Sequence, residues 1–156
     1  MYKIRFIWVG KCQSGYAKQG VEEWIGKIKP FVKVEVLELK AASGKNVSKD
    51  DCRRRETDDV LAKLHANETR VILDETGKSW RSVEMAKWLD GRKIEEHGRV
   101  NFVIGGAFGL ELDRLKPAQM LSLSAMTFNH QIVRLMLLEQ VYRAFTIIEG
   151  MPYHHE

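Results

Sequence analysis

Cysteine and proline are scarce: two and three residues respectively in a chain of 156. Cys12 and Cys52 are too few for a disulfide framework and stand at no metal-ligand spacing, which predicts a reduced, cytoplasmic protein without a metal. Long apolar runs are absent as well. Nothing approaches the ~20 consecutive apolar residues that a membrane span requires. The opening stretch MYKIRFIWVG alternates charge and bulk and lacks the apolar block and cleavage site of a signal peptide. Low-complexity segments, repeats and linkers are missing too. With 44% hydrophobic and 29% charged residues, the composition excludes a disordered chain and predicts one domain over residues 1–156, long enough to bury a core.

What is present begins with charge. The net charge is +4, and its placement is uneven. Residues 1–55 hold thirteen Lys and Arg against six Asp and Glu, whereas the remaining 101 hold twelve against fifteen. A basic front half on a near-neutral remainder fits a surface for a polyanion, nucleic acid first, or equally a set of solvated helix faces.

Hydrophobic periodicity alternates between strand and helix. KIRFIWV reads as a strand, and Ala17, Val21, Trp24, Ile25 and Ile28 then recur at helical spacing until Lys29-Pro30. FVKVEVLEL alternates with period two. A helix follows from Ser48 to Asn67, with an acidic start that suits its dipole. RVILDE reads as a short buried strand, TGKS as a turn, and VEMAKWLDGRKIEEHG as a helix interrupted near Gly91. VNFVIGG and LSLSAM read as two further strands, and Asn129 to Glu149 as one long helix. Strands separated by helices predict an α/β fold with a mainly parallel sheet and flanking helices. The last helix carries apolar residues around nearly its whole circumference, so something besides the sheet must cover it. A second copy of the chain in a homodimer is the economical cover, and a deeply central helix in a monomer is the alternative.

The first turn, GKCQSG, has the glycine spacing of a phosphate loop, but Tyr16 stands where the lysine belongs, which excludes a nucleotide-triphosphate site. Gly105, Gly106 and Gly109 follow a buried strand, where they serve either a ligand approaching the backbone or a tight turn. Three carboxyl ends of predicted strands, at Leu73, Gly105 and Met126, can form one pocket if the strands are neighbours, because ligands of parallel sheets collect there. Backbone amides and small side chains suit adenine. His130, near a helix start, reads as a capping or packing residue before a base. Glu139 and Arg143, at i and i+4, form either an intrahelical pair or a polar contact across an interface. The four tryptophans read as core or partly exposed aromatics.

VILDETGKSW, VIGGAFGL, LSLSAMTFNHQIVRLMLLEQVYRAF and the ending PYHHE together resemble the RlmH family over essentially the full length. These are small SPOUT-superfamily enzymes that methylate a pseudouridine in large-subunit ribosomal RNA. The resemblance implies an α/β fold with a C-terminal trefoil knot, a departure from the rule that chains do not thread their own loops. It also implies a homodimer, and an S-adenosyl-L-methionine site in the knot. By motif the donor contacts would be Leu73, Gly105, Leu123, Ser124, Ala125, Met126, Thr127 and Phe128. The tail would lie over the donor, with Tyr153 and His154 facing the target base and Arg143 holding or polarising it. The implied reaction is methylation at ring nitrogen 3 of a pseudouridine in 23S ribosomal RNA. A non-catalytic ribosome-associated RNA-binding protein of the same fold, or a transfer RNA methyltransferase, are the alternatives. His155, Asn129 and Phe108 stand where relatives frequently carry a basic residue, a proline and an acid. The basic residues Lys40, Lys45, Lys49, Arg53, Arg54 and Arg55 then become the expected RNA-facing surface.

Overall fold

A computed structural model of the chain describes residues 2–93 and 98–156. Five strands form one wholly parallel sheet: β1 (Lys3–Val9), β2 (Lys33–Leu39), β3 (Thr69–Ser79), β4 (Arg99–Ile104) and β5 (Gln119–Ser122). Their order is β2-β1-β4-β3-β5, and the helices are α1 (Gly15–Ile28), α2 (Lys49–Leu61), α3 (Ser82–Arg92) and α4 (His130–Ile148).

Strand alternation explains the layering, since successive side chains leave a strand on opposite faces. Ile4, Phe6 and Trp8 of β1, Phe102 and Ile104 of β4 and Val71 of β3 share a core with Val21 and Ile28 of α1, Met85 and Leu89 of α3 and Leu137, Val141 and Phe145 of α4. Their neighbours Ile7, Val9, Ile72 and Val103 point the other way, onto Val60 of α2, Leu64, Leu110 and Leu115. The sheet is therefore covered on both faces, as parallel sheets require.

Three expected boundaries move, each for a local reason. TGKS is not a turn. β3 runs through it and meets β5 with a register jump between Leu73 and Lys78. Gly77 serves close approach there, because a Cβ would fall 2.6 Å from the Met120 carbonyl carbon and 2.7 Å from Leu121 N. The strand expected at Leu121–Met126 is instead β5, ending at Ser122. The Ser122 hydroxyl donates to Ser124 O at 2.9 Å, and Met126 N donates to Ser124 Oγ at 3.0 Å. Hydroxyls that bond to nearby backbone draw the chain out of a ladder. Finally, α2 starts at its expected cap, with Asp51 N donating to Ser48 Oγ at 3.1 Å, but stops at Leu61 instead of Asn67. The Lys63 carbonyl is taken by Arg5 Nη1 at 2.8 Å and Leu64 dives into the second core, so tertiary contacts end the helix. Residues 94–97 of the interrupted helix expected after Val83 lie outside the described residues.

The long helix is less isolated than its composition implies. Sheet, α1 and α3 cover three sides of α4 and bury Arg134, Leu137, Leu138, Val141, Ala144 and Phe145. Ile132 is exposed, and Met136, Glu139 and Arg143, at i+4, i+7 and i+11 from it, continue along the same face half-buried. Among the described residues no helix is long and apolar enough to cross a membrane.

Candidate active site

The carboxyl ends of β4 and β5 flank β3 on either side, and the loops leaving them enclose, with residues 72–75 in the middle of β3, a cavity of about 380 Å³. Of the eight residues expected to contact the donor, seven line it: Leu73, Gly105, Leu123, Ser124, Met126, Thr127 and Phe128. Ala125 does not. Ile104, Leu121 and Val133 supply apolar wall, and Asp74 and Glu75 supply carboxylates. Thr127 Oγ1 donates to Glu75 Oε2 at 2.7 Å, which ties the loop after β5 to the middle of β3. Asp74 accepts from the Thr76 backbone at 3.0 Å and from its hydroxyl. Among the described residues no lysine or arginine lines the cavity. A site with acids and no cation suits a ligand carrying positive charge and repels a polyphosphate.

His130 opens α4 against this cavity, below the Asn129 cap whose Oδ1 accepts from Gln131 N at 2.7 Å. Burial first, and then the Arg134 cation, push His130 below its usual 6.5, so the ring is neutral near pH 7. The unfolded chain therefore takes up this proton first as pH falls through 6.5, and folding loses stability on acidification. His130→Gln should narrow the difference in melting temperature between pH 7 and pH 5.5, and a difference equal to that of the wild type would refute the assignment.

The loop GKCQSG, empty of phosphate chemistry, has a structural partner instead. Arg134 is fully buried, and its Nη2 donates to Val9 O at 3.0 Å and Gly10 O at 2.9 Å, while Nη1 reaches Cys12 Sγ at 3.4 Å. Gln131 completes the staple, with Nε2 donating to Lys11 O at 3.2 Å and Oε1 accepting from Gln13 N at 3.3 Å. The first turns of α4, and with them His130 and Val133, are thus fixed to the end of β1.

The expected catalytic residues form a second cluster. Glu139 Oε1 accepts from Arg143 Nη2 at 2.6 Å, from Arg143 Nε at 3.1 Å and from the Tyr153 hydroxyl at 3.0 Å. Arg143 Nη1 lies 3.2 Å from His154 Nδ1, and its guanidinium carbon sits 4.8 Å from the centre of the Tyr153 ring. Tyr153 also packs edge-on against Tyr142, with ring centres 4.9 Å apart. Burial, followed by the hydrogen bond and charge of Glu139, pushes the Tyr153 phenol up, so it stays a proton donor. The Glu139 contact likewise raises Arg143 further. Sequence reasoning paired Glu139 with Arg143 but missed its grip on the tail.

Within one chain Glu139, Arg143, Tyr153 and His154 do not line that cavity. His154 and Glu139 line a separate groove of about 700 Å³ with Trp24, Trp80, Leu135 and Met136. Leu121, Ser122 and Leu123 line both, so the groove and the cavity share one wall. Through its contact with Tyr153, Glu139 pins the tail to α4.

Residues 2–154 match a family described as predicted SPOUT methyltransferase. The chain is 40% identical to the ribosomal RNA large subunit methyltransferase H of Geotalea daltonii over 98% of its length and 99% of that protein. It is 40% identical to the protein of that name from Trichlorobacter lovleyi over 98% and 99%, and 37% identical to the one from Geobacter sp. over 99% of each. The chain belongs to the SPOUT methyltransferase family. As a SPOUT methyltransferase it places its cavity at the carboxyl edge of a parallel sheet, where α/β enzymes bind ligands. The basic stretch of this SPOUT methyltransferase is only partly free. Lys40, Lys45, Lys49 and Arg55 are exposed, whereas Arg53 pairs with Asp50 and Arg54 with Asp51 on the same helix.

Proposed function

We propose that the chain transfers a methyl group from S-adenosyl-L-methionine to ring nitrogen 3 of a pseudouridine in 23S ribosomal RNA, as a cytoplasmic homodimer of single-domain subunits with a SPOUT-type knot. The observation that carries this reading is the convergence of the loops after β4 and β5 and the middle of β3 on a cavity with two carboxylates and, among the described residues, no cation. The lining fits the donor: Leu73, Ile104 and Leu121 suit the adenine ring, and Asp74 and Glu75 suit the cationic end. When bound, the donor supplies an electrophilic methyl group. The names of the full-length relatives support large-subunit ribosomal RNA as the substrate.

Methylation at ring nitrogen 3 requires loss of an imide proton and leaves negative charge on the flanking oxygens. Arg143 and the protonated Tyr153 phenol are donors suited to that charge, and His154 brings an imidazole beside Arg143. Their separation from the donor loops within one chain supports a site completed by the partner subunit. The face of α4 that begins at Ile132 and the groove beside Trp24 and Trp80 are the surfaces such a partner would meet. Lys40, Lys45, Lys49 and Arg55 would hold RNA phosphates, so affinity for ribosomes should fall steeply with salt.

Radiolabelled methyl transfer to ribosomes lacking the modification, followed by mass mapping of the modified nucleotide, tests the whole reading. Label at a transfer RNA nucleotide would redirect the substrate. No label, with retained ribosome binding, would leave an RNA-binding protein that does not catalyse.

A further inference from the structure

α2 contains a buried acid that the reaction does not use. Glu56 is 4% exposed, and no lysine or arginine pairs with it among the described residues. Its partners are backbone amides from two loops: Ala42 N donates to Oε2 at 3.0 Å, and the Gly106 N–H also stabilises the charge. Burial pushes the carboxyl up and these two N–H groups pull it back. The Gly106 contact is so close that a Cβ there would fall 2.5 Å from Oε1 and 3.1 Å from Oε2. The next residue holds the other end of the same loop, with Thr57 Oγ1 accepting from Glu111 N at 2.9 Å. Between these anchors the chain turns through Gly109 N donating to Gly106 O at 3.0 Å, and the Lys49 ammonium sits 5.5 Å from the Phe108 ring at the tip. The loop from Gly105 to Gly109 is one wall of the donor cavity.

We propose that Glu56 is a positioning residue for the methyl donor, holding the glycine loop by the Gly106 amide in the conformation that keeps the cavity open. The inference rests on the donor reading of that cavity. An unpaired buried carboxylate is costly to maintain in a core, and a hydrophobic residue would serve packing alone. What a carboxylate offers here is two acceptor oxygens aimed at two loops that have no ladder partner. Glutamine keeps the shape but offers one acceptor, so one of the two amide N–H groups then faces an NH2 group.

Calorimetry with S-adenosylhomocysteine on the full chain, together with steady-state methyl transfer, tests this. Glu56→Gln should raise the dissociation constant about tenfold, the effect of losing one hydrogen bond to a charged group. The KM for the donor should rise in step while kcat at saturating donor stays within about twofold, because only binding has been lost. Gly106→Ala should weaken binding by collision with Glu56, and adding Glu56→Ala should bring no further loss, because the colliding group is gone. Wild-type affinity in Glu56→Gln, or additive losses in the double variant, would overturn the proposal even if one single variant folds poorly. Failure of the wild-type chain to bind S-adenosylhomocysteine would overturn the donor cavity itself, and the positioning role with it.

Discussion

Arg143→Ala should lower single-turnover methyl transfer by about two to three orders of magnitude, the usual cost of removing one preorganised donor from developing negative charge. Donor binding should be unchanged, because Arg143 does not line the donor cavity. Three N–H contacts and one ring contact converge on this side chain: two to Glu139 Oε1, one to His154 Nδ1, and the face of Tyr153. Truncation leaves the half-buried Glu139 carboxylate with no cation beside it, so the cluster changes from neutral to negative where the reaction itself builds negative charge. Arg143→Lys keeps a positive charge but cannot reproduce a planar fork with contacts to both Glu139 and His154, and should fall between the two. Rapid-quench transfer at saturating S-adenosylmethionine, with calorimetry and sedimentation run in parallel, gives the readings. A variant that turns over at the wild-type rate would remove Arg143 from the chemistry and reduce the cluster to an anchor for the tail.

How much of this was legible beforehand depends on which residues carried the signal. The five strands were visible as alternating or continuous apolar runs, because a buried parallel sheet imposes that pattern residue by residue. Their order was not, since β4 inserting between β1 and β3 is a property of long-range pairing that no local run encodes. The donor-side residues were reached from strand ends and motif resemblance, and Leu73, Gly105 and Thr127 do meet in one cavity. Ala125 was named with them and sits outside it. The extent of β3 was misread because Gly77 resembles a turn glycine, and only the Met120 and Leu121 backbone beside it reveals close approach. Glu56 could not be found at all. In KDDCRRRETDDVL an acid is one of five, and its burial follows from the loops that close over α2. Glu139 was seen with its helical neighbour but not with Tyr153, whose hydroxyl arrives from fourteen residues further along.

Arg134→Ala should destabilise the fold by about 3–5 kcal/mol, a large share of the 5–15 kcal/mol that typically separates folded from unfolded chains. The wild-type guanidinium is fully buried and has no carboxylate partner among the described residues. It is held by Val9 O, Gly10 O and Cys12 Sγ, and by the Trp8 ring 5.1 Å from its central carbon. Two opposing effects decide the outcome. Removing a buried charge relieves its desolvation, which favours the variant. Removing its donors strands two carbonyls at the end of β1, at about 1–3 kcal/mol each, and alanine adds a cavity. The second effect prevails, because two carbonyls lose their donors at once and the void lies beneath α4. Arg134→Met separates the two contributions: it fills the volume without donating, and should recover roughly half of the loss. Urea unfolding of the three proteins measures the ranking. A methionine variant as stable as the wild type would mean that the hydrogen bonds merely offset the burial of charge. Arg134 would then be retained for holding His130 and Val133 against the donor cavity, and the variant's affinity for S-adenosylhomocysteine should fall even though its stability does not.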